Sequence, residues 1–427
     1  MKQPVLMLKD STTKRTGTAR SGLFYGYIIA LAAFCILLVT YGVRFSYGIF
    51  FTPMARELGW NSATTSLAYS ISIILEGVFN IILGGLTDKY GPRLVLTICG
   101  ILMGLGYCLM LTVSSTWQFF LFYSVIIGIG MGGIFVPLAV IIARWFTARR
   151  VMMTGFVMSG AGVGILMIAP LSDFLIKLLN WRETYLFLGI FTLIVIVSAA
   201  QFLKGAPADI GLAPFGEKES VAGRAPPKGF SLREAFRTYQ FWFAFLIYAL
   251  YGFISVSVNV HIVPDAIKLG ISSAIAASVL ATMGGVQIAG RIGLGLLGDH
   301  IGNRLVFVIG FILAISGLFW IISNQSAWAF FLFAVIFGLS QGGLSTSQSP
   351  LIAGLFGLKS HGLIFGFCGF GYTLGAGLGP FISGHIFDIT GSYHLAFLTS
   401  IILSFVGLAL ILSLRPIQST AGGKARL

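Results

Sequence analysis

The sequence is short of charge. Only 9% of its 427 residues are Asp, Glu, Lys or Arg, and 13 of them are acidic. A soluble domain carries about 25% charged residues, so this chain could not dress a water-facing surface. Cysteine is scarce as well. Cys35, Cys99, Cys108 and Cys368 each sit inside an apolar run, with no ligand spacing between any pair. That excludes a metal cluster and a disulfide framework as organising features. No Walker loop is present, so ATP does not drive the protein. No nucleophile–base constellation stands out, which argues against an enzyme, and no cofactor is implied. The run Gly128-Ile129-Gly130-Met131-Gly132-Gly133 has the formal spacing of a dinucleotide fingerprint. It lies inside an apolar segment with no preceding strand, so it reads as helix packing.

Apolar residues are what the chain has in excess, at 57%, with a mean hydropathy of +0.95. They fall in long blocks, and a block of about 20 spans the hydrocarbon core as a helix. Twelve blocks are expected to be transmembrane helices: 24–52, 62–86, 94–114, 117–143, 151–176, 183–203, 239–265, 273–297, 305–323, 326–352, 361–386 and 393–414. Residues 1–23 are polar and basic and read as a cytoplasmic tail running into an uncleaved first helix, since a cleavable signal has a shorter apolar core. Residues 204–238 hold Pro207, Pro214, Pro226, Pro227 and many charges, and read as a solvated cytoplasmic linker. The organisation is therefore a six-helix bundle at 24–203, the linker, a second bundle at 239–414 and a cytoplasmic tail at 415–427.

The net charge of +14 is explained by where the cations lie. With the N-terminus in the cytoplasm, all but six of the 27 Lys and Arg residues fall in cytoplasmic tails and loops. The six are Arg56, Lys177, Arg182 and Lys268 in outer loops, and Arg44 and Arg291 inside helices. This is the positive-inside pattern; it sets both termini in the cytoplasm. The basic residues meet anionic lipid headgroups, so no nucleic-acid partner is needed.

The two halves repeat at an offset of 211 residues. Leu58-Gly59 matches Leu269-Gly270, Pro53 matches Pro264, and Gly84–Arg93 matches Gly295–Arg304. Repeats with a cargo site near the midplane are a recurring design of secondary transporters.

The loop Gly84-Gly85-Leu86-Thr87-Asp88-Lys89-Tyr90-Gly91-Pro92-Arg93 resembles the signature between helices 2 and 3 of the major facilitator superfamily, and 295–304 resembles its degenerate second copy. The resemblance implies an all-α integral membrane fold of two pseudo-symmetric six-helix bundles. It also implies gating roles for Asp88, Arg93, Asp299 and Arg304, with Asp88 accepting from the other half when the cytoplasmic side closes. Trp145-Phe146-Thr147-Ala148-Arg149-Arg150, followed by Gly155, Ser159-Gly160 and Gly164, is similar to the helix-5 signature of monocarboxylate transporters. Arg149 and Arg150 join the gating set on that ground. Arg44–Phe51 with Gly59-Trp60, and Val260–Pro264, resemble helices 1 and 7 of bacterial relatives that merge with the oxalate–formate exchangers. Movement of small carboxylates, often with a proton, is what this resemblance implies. Two departures refine it. Animal members carry an acid at the position of Gln287. The oxalate exchanger has a helix-11 lysine where Cys368 stands, so one cation remains, in helix 8, which favours a monocarboxylate.

Polar groups inside apolar segments are the candidate site. Arg291 costs at least ~2.5 kcal/mol to insert mid-helix and such residues face a cavity or a partner. Its guanidinium can hold a carboxylate bidentately; a structural salt bridge is the alternative. Gln287 lies one turn away on the same face. The 211 offset places Glu76 and Asn80 opposite Gln287 and Arg291. Glu76 reads either as a protonatable coupling residue linked to Arg291 across the cavity or as a buried partner stabilising the gate. His261 and Asp265 lie four apart on helix 7, as a proton-sensing pair or an entrance element. Arg44 either attracts anions or snorkels to the headgroups. Gln341, Ser345 and Gln348 share a face of helix 10, and Phe135, Phe367 and Tyr372 are candidate pocket walls with Cys368.

The expected function is secondary active transport of a small monocarboxylate such as L-lactate or pyruvate, by proton-coupled symport with alternating access. The expected setting is a monomer in the cell inner membrane. Carboxylate exchange, a drug–proton antiporter, and a carboxylate receptor that does not transport are the competing readings.

Overall fold

The computed structural model describes residues 24–60, 62–217, 229–324 and 326–415. The expected tail at 1–23 lies outside these, as do 218–228 of the linker and the last twelve residues. Among the described residues, twelve helices are long and apolar enough to cross a membrane. They are α1 (Tyr25–Phe50), α2 (Leu67–Tyr90), α3 (Pro92–Thr112), α4 (Thr116–Trp145), α5 (Arg150–Leu178), α6 (Trp181–Phe202), α7 (Tyr239–Lys268), α8 (Ser278–Ile301), α9 (Asn303–Ser323), α10 (Ala327–Phe356), α11 (His361–Thr390) and α12 (His394–Ser413). The chain is a multi-pass membrane protein. Several helices run a turn past the apolar blocks, because the Gly-Asp-rich ends of α2 and α8 stay helical until Gly91 and Gly302, whose positive φ of 84° and 89° ends them.

Each bundle is held by helix pairs whose backbones nearly touch at glycine. In the first, α1 crosses α5 where Gly42 faces the Gly164 carbonyl and Gly164 faces that of Leu38. In the second, α7 crosses α11 where Gly252, Gly375 and Gly379 face the carbonyls of Tyr372, Ala249 and Phe253. Without Cβ atoms the backbones approach closely, which is how helices associate where lipid offers no hydrophobic drive. The run Gly128–Gly133 does the same for α4. Gly128 and Gly132 press on α2 at Ser72 and Glu76, and Gly130 on α3 at Cys99 and Met103.

The two halves meet along two seams, α2 against α11 and α5 against α8. Close contacts run from Gly84–Gly362 to Gly77–Thr373 on the first, and from Gly298–Val151 to Gly162–Ile288 on the second. Both stretches lie toward the end of the molecule that carries the linker, here the linker face. Further from it, Gly284 and Gly285 of α8 have nothing within 4 Å. The halves are therefore closed at the linker face.

The linker is tied to both halves. Phe215 pairs with Phe146 in a parallel bridge, and Gly229 with Gly357 in an antiparallel one. Positions 146 and 357 are themselves related by the 211 offset. The Phe215 carbonyl accepts from Thr147 and Ala148 N–H at 3.1 and 2.9 Å, and its ring packs on Phe24, Tyr27 and Phe146.

A side chain at Gly375 would meet the Ala249 carbonyl. Gly375→Val should destabilise the purified protein by about 1–3 kcal/mol, read as a lower melting temperature by tryptophan fluorescence. Gly377→Ala, with nothing within 4 Å, should leave it unchanged. Equal melting of the two variants would deny that the crossing matters.

Candidate functional site

Arg291 stands near the middle of α8, ten residues from its linker end. Two glycine crossings fix its backbone. Gly155 of α5 lies against its carbonyl, and Gly342 of α10 against its N–H and the Gln287 carbonyl. The guanidinium then points between the halves. Its NH1 donates to the Met158 carbonyl of α5 at 2.5 Å, and Nε donates to Ser345 Oγ of α10 at 3.3 Å. Tyr251 of α7, Tyr41 of α1 and Tyr372 of α11 lie within its electrostatic reach. Tyr251 and Tyr372 pack ring against ring at 5.3 Å with tilted planes, and Tyr251 donates to the Gln341 carbonyl at 3.4 Å. Six helices thus converge on one cation. Among the described residues no carboxylate lies within ion-pair distance of it; the ion pairs there join other residues.

The other candidates divide. Ser345 and Tyr372 belong to this shell, and Gln287 lies half-buried one turn toward the distal face. Gln341 is buried and its Oε1 has no hydrogen-bond partner. Cys368 is fully buried and its electrostatic neighbour is Tyr248. Phe135 stacks on Phe365 across the halves at 5.9 Å, so it belongs to the closed seam. Phe367 is not a pocket wall. It packs on Phe236 and Phe241 at 5.0 and 6.1 Å, at the linker end of α7. Positions 367 and 372 are five residues apart, which puts them about 140° apart around a helix, so they cannot share a face.

His261 lies ten residues beyond Tyr251, about 15 Å along α7 toward the distal face, and so does not join the Arg291 shell. Its Nε2 is 3.0 Å from the Pro380 carbonyl and its ring packs on Tyr393. Asp265, one turn further, faces Lys268 and His394 electrostatically. Glu76 is not paired with Arg291. Its Oε2 sits 3.6 Å from Arg44 NH2, within the first bundle. Arg44 does not snorkel either. It is 3% exposed, with its guanidinium 4.5 Å over the Tyr69 ring.

At the linker face the two signature aspartates reach across the seams. Asp88 accepts from Arg144 at 2.8 Å and from the Leu363 N–H in the first turn of α11 at 3.1 Å. Asp299 accepts from the Val151 and Met152 N–H groups in the first turn of α5, at 2.8 and 3.1 Å. Each carboxylate therefore caps a helix of the other half, satisfying amides that have no partner inside that helix. Arg93 and Arg304 act within their own halves. Arg93 bonds Gln201 Oε1 at 2.6 and 2.9 Å, and Arg304 bonds the Ile411 carbonyl at 3.0 Å and that of Leu412. Arg149 takes a left-handed φ of 58° with its guanidinium over Phe215, and Arg150 bonds the Phe146 carbonyl at 2.9 Å. Tyr41 and Tyr251 are site residues that pattern reading missed; the signal was a phenol set inside an apolar run, where its hydroxyl needs a partner.

Two bundles joined by a linker, a repeat, a cation between them and a closed seam at one face are the layout of a membrane transporter. The chain belongs to the Major Facilitator Superfamily, whose family model matches residues 32–292 and 245–426. The family's members are transporters rather than enzymes. Among named relatives, human "Monocarboxylate transporter 11" is 27% identical over 388 residues, covering 88% of this chain and 80% of its own. The "Oxalate:formate antiporter" of Oxalobacter formigenes is 25% identical over 415 residues, covering 95% and 94%. A crystal structure of the transporter FucP in the outward conformation superposes with a TM-score of 0.71 at 13% identity, covering 92% of this chain and 100% of that one.

Removing the Asp88 charge should loosen the closed seam. Asp88→Asn should raise the alkylation rate of buried Cys368 several-fold, measured by mass spectrometry after N-ethylmaleimide treatment. An unchanged rate would show that the seam holds without the ionic cap.

Proposed function

We propose that this chain is a proton-coupled symporter of small monocarboxylates of the L-lactate and pyruvate type. The observation that carries the reading is Arg291: a guanidinium at the meeting point of six helices, held by one carbonyl and one hydroxyl, with no acid beside it. A cation kept in the membrane without a counter-ion is costly. A carboxylate would supply that counter-ion, and a planar guanidinium binds it by two parallel bonds. The phenols of Tyr251 and Tyr372 suit a hydroxyl or keto group on the adjacent carbon. Cys368 brings no second cation, which favours one carboxylate over two. The names of the relatives point to the same cargo class.

With the linker face in the cytoplasm, as the cation distribution argues, the closed seam makes this the state that takes cargo from outside. Binding neutralises Arg291 and lets the distal ends of α1, α2, α7 and α8 close over it. Glu76 is the carrier we assign to the proton. It is a half-shielded acid whose phenol neighbours, Tyr41 and Tyr372, also feel Arg291, so its charge and the cargo's are linked. His261 and Asp265 stand at the entrance.

Uptake of labelled L-lactate, pyruvate, acetate and oxalate into proteoliposomes, with and without an inward proton gradient, tests this. The expected outcome is gradient-driven accumulation of a monocarboxylate, abolished by Arg291→Ala and reduced at least about tenfold by Arg291→Lys, which keeps the charge but not the paired donors. Glu76→Gln should abolish accumulation while leaving exchange. Exchange indifferent to the gradient in the unmodified protein would make it an antiporter, and no movement of any of these acids would remove the substrate class.

A further inference from the structure

A second buried cation lies in the first bundle, apart from the Arg291 shell. Arg44 makes no hydrogen bond through NH1 or NH2, and its contact with Glu76, at 3.6 Å, is longer than a hydrogen bond. Three tyrosines close around it: Tyr107 of α3, Tyr123 of α4 and Tyr185 of α6. All are 1% exposed, and none of their hydroxyls has a hydrogen-bond partner. Each interacts electrostatically with Arg44. Tyr47 stacks on Tyr69 at 5.0 Å and packs at a tilt on Tyr123 at 4.7 Å. Residues 120–127 of α4, which carry Tyr123, are wound as a π-helix, a rare wide turn that is frequent at functional sites.

The chemistry of this cluster is lopsided. Two guanidinium nitrogens and three phenols can all donate, and the one acid among them takes none of those bonds. Buried donors without acceptors are costly, and a network left half-satisfied is unusual in a folded core. What completes it is a compact acceptor. The donors are buried among aromatic rings and converge from four helices, and a monatomic anion accepts from any direction. We propose that the Arg44–tyrosine cluster is a halide site, occupied by chloride, distinct from the carboxylate site at Arg291.

Charge balance adds a condition. Arg44 and Glu76 together are neutral, so a buried chloride beside ionised Glu76 would leave one uncompensated negative charge. Chloride therefore binds with a proton on Glu76, one for one. The remaining groups facing the pair do not supply this proton. From α1 and α2 they are Tyr41, Tyr47 and Tyr69, and from α11 it is Tyr372; Tyr41 and Tyr372 feel Glu76. From α5 the residues packed here are Gly164 and Ile168, neither titratable. By linkage the proton and the anion raise each other's affinity equally.

Equilibrium binding of radiolabelled chloride to the purified full chain, in a gluconate background, tests the site. One saturable site is expected, its affinity rising about tenfold per unit fall in pH while free Glu76 is ionised. Tyr123→Phe, which keeps the volume and removes one donor, should weaken binding about tenfold; Arg44→Gln should abolish it. Glu76→Gln should bind with no pH dependence, and Arg291→Ala should bind as the unmodified protein does. Tyr123→Phe keeps the test decisive if Arg44→Gln fails to fold. Absence of saturable binding by the folded protein would overturn the proposal, since water would then serve the donors. So would binding indifferent to Tyr123→Phe, or binding displaced by L-lactate and lost in Arg291→Ala. Because binding is read without transport, failure here and failure of the carboxylate reading are separate results.

Discussion

Where the two halves are closed, a carboxylate from each caps the first turn of a helix in the other. Asp88 does it for α11 and Asp299 for α5. Helix N-termini offer amides with no intrahelical partner and a partial positive charge, so an aspartate fits them better than water does. A net hydrogen bond to a charged group is worth about 1.5–3 kcal/mol. A pair of such caps can hold one face shut and still be given up when the other face closes. Glycine makes the reach possible. At Gly84–Gly362 there is no room for a side chain between the backbones, at Gly298 the space is filled by the Val151 side chain, and the short aspartate chain spans what remains.

The same seam carries Arg291. Its carbonyl lies against Gly155, one turn along α5 from the amides that Asp299 caps, and its NH1 holds Met158 one turn further. Whatever sits on the guanidinium therefore pulls on α5 at the level where the halves are joined. An anion that competes with the Met158 carbonyl for NH1 would weaken a contact across the halves without touching the caps. Coupling of this kind needs no long pathway, since Arg291 and the Asp299 cap share the α5–α8 pair.

The twelve spans and the repeat were legible because hydropathy and the 211 offset are properties of the chain alone. Asp88 and its copy were legible as acceptors, though not their targets, because backbone amides leave no mark in a sequence. Pairing was harder to read. The offset set Glu76 opposite Gln287 and suggested Arg291 as its partner, but symmetry relates positions and does not say which way a side chain turns. Glu76 turned inward to Arg44 because the first bundle already held a cation for it. Phe367 was misplaced for want of a wheel: Cys368 and Tyr372 are four apart and share a face, which leaves 367 on another. The linker bridges at Phe146 and Gly357 were invisible, since they are backbone pairings made by residues with no common type.

Arg44 and Arg291 lie inside membrane-spanning helices away from the helix ends, one per bundle, and the fold treats them oppositely. Arg44 is enclosed by tyrosines and given an acid, so its charge is compensated within one rigid body and travels with it. Arg291 is placed on a seam between bodies and given only neutral acceptors. A repeat that began symmetric has thus separated an internal charge from an exposed one. Rocking the halves changes the surroundings of the second far more than those of the first. An anion that is to feel the difference between the two states has one place to bind, the cation whose neighbours come from both halves.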